Sequence, residues 1–254
     1  ALRELNSRVE AVDGAVFAGD TLIYIRRDGR SPLGRVEERN PDGVSELYSS
    51  PDEVPGYVTP SASGRFVAIQ LTRNGTEEHR VLVYDRKTRQ VTGSPITLLR
   101  PRSMRWHPRR EAELWYTQYV ARHQGDLVGD RGRDSALRAR RFGRHESDRE
   151  VVIPPTLKWS DTPWSPVVVG FTDDDAWVVA ATRATSDSAR VIYGYQDGRH
   201  GLLTETDEGV REVQVRGKEA FFLVRREGKD DSIERMSVPS ESAQRALVFK
   251  ASEG

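Results

Sequence analysis

One unit recurs along this chain and limits what it can fold into. It is a short apolar strand, a polar turn, a stronger apolar strand, a polar loop and a third strand that ends in charged turn residues. The unit opens as Val16-Phe17-Ala18-Gly19-Asp20-Thr21-Leu22-Ile23-Tyr24 and returns at residues 58–68, 104–116, 169–179 and 213–222. Equivalent centres fall at Leu22, Phe66, Leu114, Trp177 and Phe221, in steps of 44, 48, 63 and 44 residues. Each apolar run is rich in β-branched and aromatic residues and bounded by Gly, Asp, Pro or Ser, the pattern of strands and hairpins. Only Leu2-Arg3-Glu4-Leu5 has a helix-like opening. The chain reads as all-β.

A period of about 40–50 residues with four strands per unit is that of a β-propeller. A β-sandwich also has many short strands, but it does not repeat one turn grammar five times. The repeat predicts one propeller domain over residues 1–254, with five blades at about 9–50, 56–97, 101–155, 163–206 and 210–250. The 63-residue step is long because residues 120–134 carry no strand pattern, so Arg122 to Asp134 are expected to form a projecting loop. That stretch lies in the most Arg-dense part of the chain, with 12 Arg against 8 acids between positions 101 and 150.

Composition removes several classes of function. Lys+Arg and Asp+Glu both number 39, a balance that argues against a generally basic nucleic-acid binder. No apolar run reaches the roughly 20 residues of a membrane span, and the first residues carry no secretory pattern. The absence of cysteine removes disulfides, thiolate metal sites and a cysteine nucleophile. No cofactor, no metal and no membrane contact are expected, and a cytoplasmic setting is the simplest.

Three segments, in order, resemble the propeller of the prolyl oligopeptidase family of serine peptidases. Ser63-Gly64-Arg65-Phe66-Val67-Ala68 is similar to the strand opening of that family's second blade. Met104-Arg105-Trp106 with Leu114-Trp115-Tyr116 is similar to a later Trp-containing strand pair, and residues 140–153 resemble the segment that follows a variable loop in the family. The similarity runs from about Val9 to Phe249. It implies seven blades and a following α/β-hydrolase domain, whereas five units are readable here and the nucleophile elbow G-x-S-x-G is absent from the sequence. Arg144 also stands where the family has Thr after the turn glycine.

The ends of the repeat bear on ring closure. Val16, Phe17, Leu22, Ile23 and Tyr24 in the first unit, and Phe221, Phe222, Val224, Leu247 and Phe249 in the fifth, are as hydrophobic as interior positions. Leaving two such faces wet forfeits on the order of ten kcal/mol at ~25 cal/mol per Å². The expectation is therefore a partial or truncated seven-bladed ring, favoured over a closed five-bladed one.

Candidate chemistry is sparse. His79, His107, His123, His145 and His200 all fall in turns or polar loops by pattern and read as solvated, so no catalytic residue is expected. Asp173-Asp174-Asp175 and Asp230-Asp231 sit in turns where adjacent acids diverge, unlike a glycosidase pair, and lack calcium-loop spacing. Asn74-Gly75-Thr76 is a sequon better read as a hairpin turn. Trp106 and Trp177 fit core packing, within an aromatic group that also includes Trp159 and Trp164. Resemblance alone assigns Trp115 and Tyr116 to a substrate pocket at an interdomain cleft.

The resulting reading is a non-catalytic, substrate-gating propeller of a prolyl-oligopeptidase-like peptidase acting on short proline-containing peptides. Its partners would be those peptides and an α/β-hydrolase domain, in the same parent chain or separate. A free-standing binding scaffold is the alternative. A five-bladed glycosidase is the third, disfavoured because residues 15–17, 56–58, 104–106 and 167–169 of the first strands carry no carboxylate.

Overall fold

Short apolar strands joined by tight turns close into hairpins, and successive hairpins build five four-stranded sheets in simple up-and-down order. The computed structural model describes residues 11–27, 33–73, 78–119, 135–143, 146–158, 166–182, 189–206, 209–225, 231–239 and 246–250. The first sheet holds β1 (Ala11–Ala18), β2 (Thr21–Arg27), β3 (Arg35–Asn40) and β4 (Gly43–Ser49). The second holds β5 (Glu53–Pro60), β6 (Phe66–Arg73), β7 (His79–Asp85) and β8 (Gln90–Ile96). The third is β9 (Leu99–Trp106), β10 (Glu113–Tyr119), β11 (Ser135–Arg141) and β12 (Ser147–Glu150). The fourth is β13 (Val167–Phe171), β14 (Trp177–Thr182), β15 (Ala189–Gly194) and β16 (His200–Thr206). The fifth is β17 (Gly209–Arg216), β18 (Glu219–Arg225), β19 (Ser232–Ser237) and β20 (Ala246–Lys250). The only helical element among the described residues is one 3-10 turn, Pro155–Leu157. No helix among them is long and apolar enough to cross a membrane.

The chain folds as two compact units, one of Ala1–Gln118 with Ala139–Arg149, the other of Tyr119–Arg138 with Glu150–Gly254. In the first unit β6 is buried along almost its whole length because both of its faces are covered. Side chains alternate across a strand. Val67, Ile69 and Leu71 therefore join Ile23, Ile25 and Val36 of the first sheet, whereas Phe66 and Ala68 join Met104, Trp106 and Leu114 of the third. The Trp106 ring stacks on Phe66 at 6.1 Å, and its Nε1 donates to the Thr59 carbonyl at 2.9 Å. In the second unit Ala176, Val178 and Val191 pack with Ala220, Phe222 and Val224.

Turn chemistry explains the corners. Gly19 and Gly217, at φ +62° and +63°, close the first hairpins of the first and fifth sheets in the left-handed region that glycine enters without strain. In the other three sheets the residue after the first strand carries a buried side-chain acceptor instead. Ser61 Oγ takes the Phe66 N–H at 3.1 Å and Thr172 Oγ1 takes the Ala176 N–H at 2.9 Å. His107 Nδ1 takes the N–H groups of Arg109 and Arg110, both at 3.2 Å.

The fourth strands were the part of the repeat least visible in the sequence. All four residues of β12 and all five of β20 are exposed, so no apolar alternation marks them. Leu2-Arg3-Glu4-Leu5, Asn74-Gly75-Thr76, Arg122 to Asp134, His123, Arg144, His145, Trp159 and Trp164 lie outside the described residues.

Candidate functional site

The first strand of each sheet stands at one edge of its ladder, and all five depart from regular register against the second strand. The irregularities fall between Asp13 and Val16, Pro55 and Tyr57, Val168 and Gly170, and Val210 and Glu212, and opposite Tyr116 and Gln118 in the third sheet. A bulge re-aims side chains and ends pairing, and bulges are over-represented at sheet edges and beside functional sites. Gly14 at φ +59° accommodates the first bulge, while Arg102 holds φ +55° without being glycine. Sequence periodicity gave no sign of these bulges, since an extra residue in a strand leaves its composition unchanged.

Contrary to the expectation of carboxylate-free first strands, Asp13, Glu53 and Glu212 lie on them, outside residues 15–17, 56–58, 104–106 and 167–169. Each has a partner. Asp13 Oδ2 accepts from Arg27 Nε at 2.7 Å, Glu53 Oε2 pairs with Arg80 at 2.5 Å, and Glu212 Oε1 accepts from Gln214 at 2.6 Å. Burial pushes the Glu53 carboxyl up, but the hydrogen bonds from Arg80 and Tyr48 more than offset it, and the group sits below its ordinary range.

Trp115 and Tyr116 are adjacent on β10 and therefore point to opposite faces of the third sheet. Both are 1% exposed. Trp115 Nε1 donates to Glu113 Oε1 at 2.7 Å, and the Arg149 guanidinium lies 5.5 Å from its ring centroid. Arg110 donates to the same Glu113 oxygen at 3.1 Å. Tyr116 packs in the core shared with the second sheet, and its hydroxyl donates to Asp148 Oδ2 at 2.8 Å. The structure thus does not bring the two aromatics together on one wall.

His107 and His79 differ from the solvated turns expected of the histidines. His107 is 1% exposed because its ring is the acceptor that closes the β9–β10 turn, a role that hides it from water. His79 is the first residue of β7, half-buried, with Gln70 Nε2 3.0 Å and Thr72 Oγ1 3.1 Å from its Nδ1. His200 opens β16 and is exposed, its Nδ1 2.6 Å from the Gly198 carbonyl oxygen. Thr172 Oγ1 donates to Asp174 Oδ1 at 2.6 Å, which with Tyr195 holds that carboxyl below its ordinary value as a turn group. Asp231 binds Arg225 through both oxygens. No cluster of three potential metal ligands occurs among the described residues.

Exposed apolar side chains mark one face of each terminal sheet. Register puts Val12, Phe17 and Leu22 on the face of the first sheet turned away from the second, where Phe17 is 72% exposed, while Tyr24 on the same face is buried. In the fifth sheet Phe221, Leu223, Ile233 and Phe249 share the face opposite Phe222, and Phe249 is 57% exposed.

Five four-stranded up-and-down sheets define the chain as a β-propeller fold. That fold is similar to part of the solved structures of prolyl endopeptidases and oligopeptidases. Over 97% of its length the chain superposes on a prolyl endopeptidase of known structure, with a TM-score of 0.74 and 15% sequence identity. Prolyl oligopeptidase B from Galerina marginata, solved with a 35mer hydrolysis and macrocyclization substrate, matches over 98% of this chain with TM-score 0.73 and 9% identity. Oligopeptidase B from Leishmania major matches over 99% with TM-score 0.69 and 13% identity. The chain spans only 38%, 39% and 36% of those three chains respectively. No family model and no curated protein matches the sequence.

Proposed function

We infer that this chain is the non-catalytic, substrate-gating propeller portion of a prolyl-oligopeptidase-like serine peptidase acting on short proline-containing peptides. The observation that carries the reading is the superposition of 97% of the chain on a prolyl endopeptidase at TM-score 0.74. The missing nucleophile elbow is consistent with a supporting role. An α/β-hydrolase domain, from the same parent chain or separate, would supply the chemistry, in a cytoplasmic setting. A ring of blades admits thin, flexible peptides and rejects folded ones by sterics. Substrate contact through Trp115 or Tyr116 requires neighbouring side chains to move first, since both are 1% exposed.

The test supplies a prolyl-oligopeptidase-type hydrolase domain lacking its own propeller, with and without this chain. Cleavage of a short proline-containing peptide is compared with cleavage of the same peptide held in a folded protein. Gating predicts that adding the chain suppresses only the second reaction. Equal effects on both, or no binding, would remove the reading. A free-standing interaction scaffold is then the better account, favoured by the exposed Phe17 and Phe249.

A further inference from the structure

Gln70 lies on β6, 3% exposed, on the face that meets the third sheet. Its Oε1 accepts the backbone N–H of Arg102, on β9, at 2.9 Å. A backbone N–H can only donate, so the amide orientation is fixed, with the oxygen toward Arg102 and the nitrogen away from it. That nitrogen lies 3.0 Å from His79 Nδ1 and can only donate there. His79 Nδ1 is therefore an acceptor, and the ring carries its proton on Nε2. Thr72, directly across the ladder from His79, brings its hydroxyl to 3.1 Å from the same nitrogen. At the far end of this relay Arg102 is exposed and held at φ +55°, a conformation that a non-glycine residue keeps only when its surroundings impose it.

We propose that His79, Gln70 and Arg102 form a latch across the seam between the second and third sheets, and that protonation of His79 opens it. A proton on Nδ1 sets one donor against another. Rotating the Gln70 amide by half a turn relieves that contact but turns its nitrogen toward the Arg102 N–H. One of the two bonds is lost in either case, and where the amide turns it is the bond to Arg102 on the bulged β9 that goes.

Charged groups also lie around the latch. Arg73, Glu78 and Arg80 adjoin it in sequence, and Glu53 of β5 is bound to Arg80 on the other face of the sheet. Asp85, at the far end of the His79 face, is held by Arg65 through two bonds. On the third sheet the charged groups are Arg100, Arg102 and Arg105 of β9, and Glu113 of β10, which Arg110 holds. β11 adds Arg138, Arg140 and Arg141, and β12 adds Arg149, Glu150 and Asp148, the last accepting from Tyr116. No charged residue occurs in β8. A histidine of an unfolded chain takes up a proton near about pH 6.5, whereas in the latch Nδ1 faces the Gln70 amide nitrogen, so a proton enters there only at the expense of that bond. More protons are bound when the seam is open, so closure weakens as pH falls through that range.

The experiment uses the 15N-labelled chain between pH 8 and 5.5. At pH 8 the His79 ring is expected as the Nε2–H tautomer. The Arg102 amide, corrected for intrinsic exchange, should lose protection by about tenfold per pH unit below the histidine midpoint. His79→Asn offers Gln70 an oxygen that does not titrate, so Arg102 protection should become independent of pH. Gln70→Glu accepts from both Arg102 and protonated His79 and should reverse the trend. An Nδ1–H tautomer at pH 8, or equal pH dependence in the wild type and His79→Asn, overturns the latch.

Discussion

Gly194 is the most exacting test of the packing described above. It lies on β15 directly opposite Trp177 of β14, with a backbone outside the left-handed region. An alanine in ordinary strand geometry normally gains stability, by about 0.5–1 kcal/mol, because glycine loses more freedom on folding. Here the added Cβ would stand 2.2, 2.6 and 2.8 Å from Cζ2, Cε2 and Cη2 of Trp177, far inside carbon contact distance. Trp177 is 4% exposed, so its ring has little room to retreat. Overpacking costs about 1–3 kcal/mol, and complete expulsion of the ring approaches the roughly 3–5 kcal/mol of a Trp→Ala change. Gly194→Ala should therefore lose about 2–4 kcal/mol. In a Trp177→Leu background the obstacle is gone, and the same alanine should be neutral or stabilising. Urea unfolding followed by far-UV circular dichroism, on the wild type, both single variants and the double, gives the coupling. A single variant within about 0.5 kcal/mol of wild type, or equal costs in both backgrounds, would refute the argument.

Other expectations follow from particular contacts. His107→Ala strands the Arg109 and Arg110 N–H groups and should cost about 1–3 kcal/mol in urea unfolding, with His107→Asn recovering part of the loss. Hydrogen bonding to Arg65 holds the Asp85 carboxyl below its ordinary value. Its stabilisation is thus present above the unfolded carboxylate range and lost as pH falls through the folded value, so Asp85→Asn should flatten the urea midpoint between about pH 5 and 3. Phe17→Ser and Phe249→Ser should each change stability by less than about 0.5 kcal/mol in this chain while raising its solubility, because both rings already face water. A loss above about 1.5 kcal/mol from either would mean that the ring is covered in solution.

Strand alternation and turn chemistry are local, so the repeat could be read directly from the residues. The central strands β2, β6, β14 and β18 announce themselves because their apolar side chains are buried on one or both faces. Trp106 and Trp177 were legible as core for the same reason, each being large, apolar and part of the repeated strand pattern. The order of the Ser63, Met104 and Arg140 segments carried the resemblance to prolyl oligopeptidase propellers, and a solved prolyl endopeptidase shares the fold at 15% identity.

The three-dimensional structure decided what depends on where each side chain finds its partner. His107 looks like a polar turn residue until its ring is seen to receive two backbone N–H groups, and only that bonding makes burial affordable. Trp115 and Tyr116 look like one aromatic pair, yet strand geometry sends them to opposite faces, one toward Glu113 and the other toward Asp148. The Gln70 amide is an isolated polar residue in an apolar run until Arg102, 32 positions away, fixes its orientation. Composition and period thus determined which segments are strands and how often they recur. The partners of the Gln70 amide and the Tyr116 hydroxyl each lie 32 residues away, and folding alone brings them within three ångströms.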